Sequence, residues 1–367
     1  VLHIDVDCFY VQVEMLRNPQ LDTDRPVAVT QKFLCVTANY PARAAGVGKL
    51  MRIDTAKEIC PELVLIAGED LTPYREASAT IFAALSQYGP CQKLGLDEFF
   101  IDASDAASRK PACCSSWAAG CQVHIATHGT RSAEDLEGRG TNYRPQDLRA
   151  SSGCAGGAAA AATDSSVPGE EQAGGDATLA LLRRASHVAA ECKAAVLEQS
   201  GLTVSVGVAT SKVLAKLTSG LHKPDGLTAL PPSQVAAFLR PLDVRVLPGV
   251  GASVAPRLSE QGVRTIGELA ELPPARLQLA MQQTSLAARG GGASGGGGRG
   301  SVPLTAARLL ELSRGLDGER VVQSGPPKSL SVVDSFKAAT SFATLEAVLH
   351  VLTPDLLQRL AQDRAAH

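Results

Sequence analysis

Aromatic side chains are scarce in this 367-residue chain, since Phe, Tyr and Trp together supply 4% of it. Long apolar runs are missing as well, because no window holds about 18 consecutive apolar residues, which excludes an ordinary transmembrane helix. Nine cysteines are present, but no two have Cys-x-x-Cys spacing. We therefore expect a reduced intracellular chain rather than a disulfide framework. Hydrophobic residues make up 45% of the chain, enough for the cores of two or three domains of ordinary size.

The chain has almost no excess of charge, with a formal net charge of −2. Taken alone, this value argues against a nucleic-acid partner. Locally the balance differs. The range Gln31–Arg52 contains no acidic residue, and between Lys212 and Arg264 there are seven Lys or Arg against three Asp or Glu. These two basic segments indicate that a polyanion remains a candidate ligand.

One cysteine cluster carries two histidines behind it. Cys113, Cys114 and Cys121 are followed by His124 and His128, which would share a face if the stretch were helical. A zinc site is therefore conceivable. The missing Cys-x-x-Cys pair makes it the less favoured reading.

Two segments interrupt an otherwise patterned chain. Residues 103–177, with the Gly- and Ala-rich run Gly153–Ala162, are predicted to be a disordered insertion. In Arg289–Gly300 eight of twelve residues are Gly, which predicts a flexible linker over 285–303. Elsewhere apolar patterning predicts strands at 1–6, 26–29, 34–37, 63–66 and 204–209, and helices at 9–16, 55–59, 74–88, 179–197 and 211–221.

Acidic residues stand at two points within apolar strand segments. Asp5 and Asp7 end the first strand, and positions i and i+2 of a strand face the same side. Asp97 and Glu98 are adjacent, so both can reach one metal only at a hairpin tip or a bulge. Two such pairs predict a two-magnesium site that binds polyphosphate. Solvated strand-end acids are the alternative for either pair alone, and Asp102 is assigned as a cap for the segment after it.

Basic residues in two segments predict a phosphate-binding cradle. Pro41 suits the first turn of a helix, where Arg43 would stand near free backbone N–H groups and Tyr40 could add a hydroxyl. Lys212 and Lys216 are four residues apart and share a helix face, from which one can reach phosphate oxygens. An ordinary basic surface is the alternative for each segment.

Two further motifs concern a sugar and a DNA backbone. Tyr10 follows the first acidic pair, and a bulky aromatic at a metal site can exclude a 2′-hydroxyl, although a core position is the simpler reading. The segment Leu247–Gly251 is typical of a helix–hairpin–helix turn, whose backbone N–H groups at Gly249 and Gly251 can approach a DNA phosphate.

In order and spacing, five segments resemble the Y-family translesion DNA polymerases: VDCFYVQVE, NYPARAAGV, LGLDEFFID, GVATSKVLAKLTSG and LPGVG. Three more are similar to the iota-type branch of that family: TQKFLCVTANYPAR, AGEDLTPYRE and SGPPKSLSVVDSF. The resemblance implies an α+β right-hand polymerase with a ferredoxin-like palm, small fingers, a helical thumb containing the helix–hairpin–helix, and a partial little finger. The expected domains are palm 1–8 and 70–222, fingers 9–69, thumb 223–322 and partial little finger 324–367.

The same resemblance implies roles for individual residues. The metal ligands would be Asp5, the Val6 carbonyl, Asp97 and Glu98, whereas Asp7 has no metal role in the family and ranks below them. Tyr10 would be the sugar gate. The remaining implied contacts are Thr37, Tyr40, Arg43 and Lys216 to the triphosphate, and Gln31, Lys32 and Leu34 around the template base. Phe33 stands where the family pattern has Tyr, and Pro41 stands where an acid is usual.

The implied activity is error-prone translesion synthesis, in which template-directed nucleotidyl transfer adds a dNTP to a primer 3′-hydroxyl. It implies Mg²⁺, with Mn²⁺ as the alternative ion, primer–template DNA and dNTP as ligands, and a nuclear location. Clamp- and ubiquitin-binding motifs are expected for the family and are not found in this chain. Two other readings stay open: a weakly catalytic DNA-binding scaffold, and a nucleotidyl cyclase on a related palm, against which the hairpin motif argues.

Overall fold

The computed structural model describes residues 1–21, 24–123, 172–287, 304–326, 329–332 and 341–366. The Gly- and Ala-rich run Gly153–Ala162, the candidate zinc ligands His124 and His128, and the Gly-rich loop Arg289–Gly300 lie outside the described residues. The chain divides into two units, Val1–Val322 and Gln323–His367.

Strands and helices alternate through the first unit. Its described strands are β1 Leu2–Val6, β2 Val27–Gln31, β3 Leu34–Ala38, β4 Met51–Arg52, β5 Val64–Ala67, β6 Cys91–Leu94, β7 Glu98–Ile101, β8 Cys121–Val123, β9 Val204–Val208 and β10 Leu227–Ala229. Its described α-helices are α1 Phe9–Arg17, α2 Tyr40–Ala44, α3 Ile53–Ile59, α4 Thr72–Ser86, α5 Ser104–Ser108, α6 Gln172–Ser200, α7 Lys212–Ser219, α8 Val235–Leu239, α9 Ala255–Glu260, α10 Ile266–Glu271, α11 Pro274–Ala287 and α12 Ala306–Ser313.

The larger sheet has the strand order β6-β7-β1-β9-β10-β8. Its first four strands pair antiparallel with one another, and β10 runs parallel to both β9 and β8. Within this sheet β1, β6, β7 and β9 occur in that order along the chain, and β1 lies between β7 and β9. Helix α4 precedes the second of these strands, and α6 connects the third to the fourth. This arrangement is the ferredoxin-like topology, and it confirms that part of the sequence prediction.

Side chains alternate along β1 between the hydrophobic core and the face that carries Asp5. Leu2, Ile4 and Val6 are fully or almost fully buried in the same hydrophobic cluster as residues of α4 and α6. The intervening residues His3 and Asp5 face the opposite side, where the His3 ring contacts Ser219 at the end of α7. Because side chains alternate along a strand, burying the apolar residues on one face commits Asp5 to the other.

A second sheet is inserted in the chain between β1 and α4. Its order is β4-β3-β2-β5, with β2 antiparallel to β3 and parallel to β5. Helix α2 begins directly after β3, where the Asn39 side chain accepts a hydrogen bond from the Ala42 N–H at 3.1 Å. The cap and Pro41 in the first turn explain why a helix starts here.

The end of the first unit is helical. Apolar residues from α8 to α12 form one buried cluster with Val213 and Leu214 of α7. Helix α10 begins with a reciprocal capping box between Thr265 and Glu268. Packing against α7 ties this helical region to the large sheet, because α7 itself packs on β1 and β9.

Two predicted boundaries need correction. The sequence predicts disorder throughout 103–177, yet α5, the three-residue strand β8 and the start of α6 lie within it. Strand β8 is stabilised by parallel pairing with β10, about a hundred residues further along the chain, which no local pattern reveals. Helix α11 likewise continues to Ala287, inside the predicted linker 285–303.

The second unit consists mainly of one helix, α13, over Phe342–Ala366, with Pro354 inside it. The Arg359 side chain donates a hydrogen bond to the Ser331 carbonyl. Among the described residues, no helix of either unit is both long enough and apolar enough to cross a membrane.

Candidate active site

Two of the predicted carboxylates face each other across paired strands. Asp5 of β1 and Glu98 of β7 are Cα partners in the antiparallel ladder. Asp97 lies in the turn just before β7, and its carbonyl accepts the Val6 N–H at 2.9 Å. Of the two arrangements that the sequence left open, a hairpin tip or a bulge, the structure has the hairpin, with Asp97 in its turn and Glu98 at the start of β7, and the turn adjoins the end of β1.

Negative charge is concentrated at this hairpin. Burial, and then the charges of Asp5 and Glu98, raise the pKa of Asp97 above its ordinary value. Two lysines oppose that charge. Lys216 of α7 places its ammonium 2.6 Å from both carboxylate oxygens of Glu98, and Lys223 forms an ion pair with Asp5.

The donor set suits a hard divalent cation. Carboxylate oxygens and a backbone carbonyl, such as that of Val6, are the ligands that Mg²⁺ takes in proteins. Within the described ranges, however, no three His, Cys, Asp or Glu side chains converge as a formed metal site. Asp5 and Glu98 are instead engaged with Lys223 and Lys216.

Asp7 does not join the cluster, although strand alternation predicted that it would face the same side as Asp5. It lies beyond the last residue of β1, and its side chain is 1% exposed. There it accepts hydrogen bonds from Tyr40, Ser205 and the Asp225 backbone. Burial raises the pKa of Asp7, while the Lys223 charge and the hydrogen bonds from the Asp225 backbone and the Ser205 hydroxyl oppose that shift. The lower rank given to Asp7 as a metal ligand agrees with this placement.

Tyr10 lies in the first turn of α1, next to the carboxylates. Its ring packs on the Tyr74 ring at a centroid distance of 4.3 Å. Tyr74 is fully buried and donates a hydrogen bond to Glu14 at 2.7 Å, which restrains the stack. Burial and then the Asp97 charge raise the pKa of Tyr10. A rigid aromatic side chain thus stands within electrostatic range of the hairpin tip.

The predicted phosphate cradle is only partly free. Arg43 is half-buried, with its Nε donating to the Ala38 carbonyl at 2.9 Å and its guanidinium 5.1 Å from the centre of the Tyr40 ring. The expectation of free backbone N–H groups is wrong for the first turn, because the Ala42 and Arg43 N–H groups bond to Asn39. The Tyr40 hydroxyl donates to Asp7 at 3.0 Å. Arg43 is therefore the main cationic group that this helix offers.

The predicted template-base residues lie together on the β2–β3 hairpin. Gln31 pairs with Leu34 across the ladder, and its side-chain amide donates to the Gly68 carbonyl at 2.8 Å. Lys32 has a positive φ of 54°, and its N–H donates to Glu69 at 3.1 Å. Thr37, a predicted triphosphate contact, is in β3 opposite Val29 and is half-buried. These hydrogen bonds fix the hairpin to the strand end at β5.

The Gly-rich hairpin precedes α9 and opens to solvent on one side. Gly249 has a φ of 87°, and a Cβ there would lie 3.0 Å from Leu304. At Gly251 a Cβ would meet no atom within 4 Å. A cavity of about 730 Å³ lies beside this turn, lined partly by Arg245, Gly251 and Arg264. Space around Gly251 and two nearby arginines suit a phosphate of a nucleic-acid backbone.

Sequence reasoning missed two residues of the site. Lys223 was counted only as part of a basic segment, and Asn39 was not assigned a role. The signal for Lys223 was weak, because its position depends on the loop between α7 and β10. Asn39 could have been found, since Asn before a Tyr-Pro helix start is a common cap.

Comparison with solved structures supports the class that this palm topology and carboxylate hairpin define. A Y-family DNA polymerase chimera matches 88% of this chain and 70% of its own, with a TM-score of 0.58 and 21% identity, which shows a shared fold. The impB/mucB/samB family model matches residues 4–220, more than half of the chain. The chain therefore belongs to this family, the Y family of DNA polymerases.

Curated relatives include eukaryotic and bacterial polymerases. DNA polymerase iota of Homo sapiens is 34% identical over 365 residues, which is 99% of this chain and 41% of that protein. DNA polymerase iota of Drosophila melanogaster is 30% identical, covering 99% of this chain and 42% of that protein. DNA polymerase IV of Ralstonia nicotianae is 30% identical, and the match covers 100% of this chain and 77% of that protein. The chain thus spans about two fifths of the length of the iota relatives.

Proposed function

We propose that this chain carries the polymerase centre of an error-prone translesion DNA polymerase. The observation that carries the proposal is the pairing of Asp5 with Glu98 across β1 and β7, with Asp97 in the adjoining turn. Family membership and the ferredoxin-like palm support the same reading. Our proposal includes the expected domains, with the palm at 1–8 and 70–222 and the fingers at 9–69.

In the proposed reaction the primer 3′-hydroxyl attacks the α-phosphorus of a dNTP and pyrophosphate leaves. We assign Asp5, Asp97, Glu98 and the Val6 carbonyl as ligands of Mg²⁺, with Mn²⁺ as the alternative. Such ions lower the pKa of the attacking hydroxyl and stabilise charge on the leaving group when bound. The protein's own part is to hold the reactants close, because positioning and electrostatics supply most of the barrier reduction in phosphoryl transfer.

Cationic side chains on two elements are assigned to the triphosphate. Arg43 reaches it from α2 as a planar donor, and Lys216 reaches it from α7 as a point charge. Since Lys216 is bonded to Glu98, this role requires it to exchange one anionic partner for another. Tyr10 is assigned as the gate, with its position set by packing on Tyr74.

The DNA ligands follow the same pattern. Gln31, Lys32 and Leu34 are assigned to the template base because they share the β2–β3 hairpin. Gly249 and Gly251 are assigned to a backbone phosphate of the primer–template duplex. A nuclear location is part of the proposal and rests on the iota relatives alone; localisation of the tagged chain by microscopy tests it.

Primer extension by the purified chain tests the function. We expect a labelled primer on a templated duplex to be extended with dNTPs and Mg²⁺ or Mn²⁺, with more misincorporation opposite template T than opposite template A. Duplex binding without extension under either ion would favour the scaffold reading. Formation of a cyclic nucleotide from a nucleoside triphosphate without DNA would favour the cyclase reading.

A further inference from the structure

The carboxylate of Asp7 joins three separate parts of the first unit. Its Oδ1 accepts hydrogen bonds from the Tyr40 hydroxyl at 3.0 Å and the Ser205 hydroxyl at 2.8 Å. Its Oδ2 accepts the backbone N–H of Asp225 at 2.8 Å and faces the Thr203 hydroxyl at 3.5 Å. Because the side chain is almost fully buried, these donors take the place of water around a carboxylate.

The network leads to two cations of the site. Tyr40 begins α2, and the Arg43 guanidinium lies over its ring at 5.1 Å. Asp225 follows Lys223 by two residues, and Lys223 forms the ion pair with Asp5. One hydrogen-bonded group thus connects the helix that carries Arg43 with the loop that carries Lys223.

Both ends of the network are themselves restrained. The Asp7 N–H donates to the Thr203 carbonyl at 3.1 Å, and its carbonyl accepts from the Gln12 side chain. On the far side, the Lys193 ammonium lies 2.7 Å from a carboxylate oxygen of Asp225. The Asp7 backbone therefore cannot move without breaking bonds to Thr203 and Gln12, and Asp225 cannot move without leaving Lys193 of α6.

We propose that Asp7 is a positioning residue for nucleotide binding. It touches neither metal nor substrate. It holds Tyr40 and the loop around Asp225 in fixed places relative to β1, and through them it sets the distance of Arg43 and Lys223 from the metal-binding carboxylates. The proposal rests on the proposed polymerase function and adds to it a residue that contacts neither the metal-binding carboxylates nor the substrate.

Removing the Asp7 carboxylate should raise the KM for dNTP and leave the affinity for duplex DNA intact. For Asp7→Ala we expect the KM for dNTP to rise by about tenfold or more, because small displacements of positioned groups have effects of this size. The Kd for primer–template DNA should stay within about twofold, since the mutation removes no positive charge. If Asp7 served only folding, its replacement would lower the unfolding temperature without raising the KM for dNTP selectively over the Kd for DNA.

Double-mutant cycles test the route of the effect. One arm of the network runs from Asp7 through Tyr40 to Arg43, and the other runs from Asp7 through Asp225 to Lys223. Tyr40→Phe breaks the first arm, and Lys223→Ala removes the end of the second. If Asp7 acts through these arms, each change should raise the KM for dNTP in the native background and add little in the Asp7→Ala background. Simple addition of the effects in both cycles would overturn the proposal.

Asp7→Asn keeps the experiment informative if the alanine variant does not fold. The Asp225 N–H can only donate, so the asparagine carbonyl must face it and the amide must face Tyr40 and Ser205. Those hydroxyls can turn and accept. We therefore expect Asp7→Asn to retain most of the nucleotide affinity, whereas Asp7→Leu, of similar volume and with no acceptor, should lose it. Equal kinetics of the two variants would contradict the proposal.

Matched changes elsewhere serve as controls. Asp102→Asn alters a carboxylate that caps Ser104, and Tyr88→Phe removes a hydroxyl bonded to the Glu191 carbonyl. Both should keep native kinetics.

A binding measurement separates the proposed polymerase function from the proposed role of Asp7. It determines the affinity for a fluorescent dATP analogue with Mg²⁺ and without primer. Failure of the native chain to extend a primer would refute the function, while equal analogue affinity of native and Asp7→Leu chains would refute the role of Asp7.

Discussion

Lys216 and Glu98 form a bidentate ion pair in which the ammonium lies 2.6 Å from both carboxylate oxygens. The pair connects α7 to the first residue of β7, and it joins a predicted triphosphate contact to a predicted metal ligand. Both side chains are partly exposed, so solvent weakens their attraction and exchange of partners costs little. In the proposed function, this arrangement lets Lys216 exchange Glu98 for an incoming phosphate.

Replacing Lys216 should therefore affect the nucleotide more than the fold. For Lys216→Ala we expect the KM for dNTP to rise about tenfold, because one charged contact to a phosphate is lost. Steady-state primer extension measures this constant. Lys110→Ala removes another lysine ion pair, with Glu191, and should leave the KM unchanged. An unchanged KM in Lys216→Ala would show that the lysine serves only Glu98.

Removing Asp97 should abolish primer extension. The carboxylate lies at the hairpin tip beside the like charges of Asp5 and Glu98, and a bound cation would offset their repulsion. For Asp97→Ala we expect extension to fall by about 10³-fold or more, with duplex affinity nearly intact, as measured by fluorescence anisotropy. Asp102→Asn is the carboxylate control. Extension at the native rate would remove Asp97 from the catalytic set.

Shortening Tyr10 should relax the choice of sugar. The ring is held against Tyr74, so its removal leaves space beside the carboxylates that a 2′-hydroxyl can occupy. For Tyr10→Ala we expect ribonucleotide incorporation to rise by about tenfold or more relative to dNTP incorporation, a difference worth roughly 1.4 kcal/mol. Tyr88→Ala is the aromatic control. If the preference for dNTP is unchanged, Tyr10 is a packing residue and not a gate.

Two glycines of the hairpin should respond differently to the same substitution. Gly249→Ala forces a positive φ on a side chain and brings its Cβ to 3.0 Å from Leu304, so we expect a loss of about 1–2 kcal/mol of unfolding free energy. Gly251→Ala meets nothing within 4 Å and should keep native stability. Thermal unfolding measures both effects.

The same pair tests the DNA contact. Because the added methyl of Gly251→Ala projects into open space, it should obstruct a phosphate and weaken duplex binding severalfold without unfolding the hairpin. Ser253→Ala, in the turn that follows, is the control for a small change nearby. Native duplex affinity in Gly251→Ala would place the DNA backbone elsewhere.

Local patterns predicted elements well where strands bury one face. The alternation of Leu2, Ile4 and Val6 with His3 and Asp5 predicted β1 and the side on which Asp5 lies. The apolar residues on both sides of Asp97 and Glu98 favoured a hairpin, and adjacent acids can share a site only at a hairpin tip or a bulge. In both places a short-range rule is enough, since the burial of neighbouring residues decides the direction of the acid.

Long-range contacts lay beyond those patterns. Strand β8 exists because it pairs with β10, and its three residues carry too little signal to be read as a strand. The hydrogen-bond partners of the Asp7 carboxylate are 33 to 218 residues away from it in the chain. Alternation alone placed Asp7 beside Asp5, but the strand ends at Val6 and the hydrogen-bond donors of β9 and α2 turn the carboxylate inward.

The sequence by itself determined the family, the palm strands β1, β7 and β9, and which acids and basic residues could form a polyphosphate site, because each depends on motifs of ten or so residues. Tertiary structure alone decided which charges meet. It paired Lys216 with Glu98 and Lys223 with Asp5, used the first-turn N–H groups of α2 within the helix cap, and buried Asp7. Electrostatic and hydrogen-bond energies depend on distances between groups far apart in the chain, and only the packing of α7 and α2 against the sheets sets those distances.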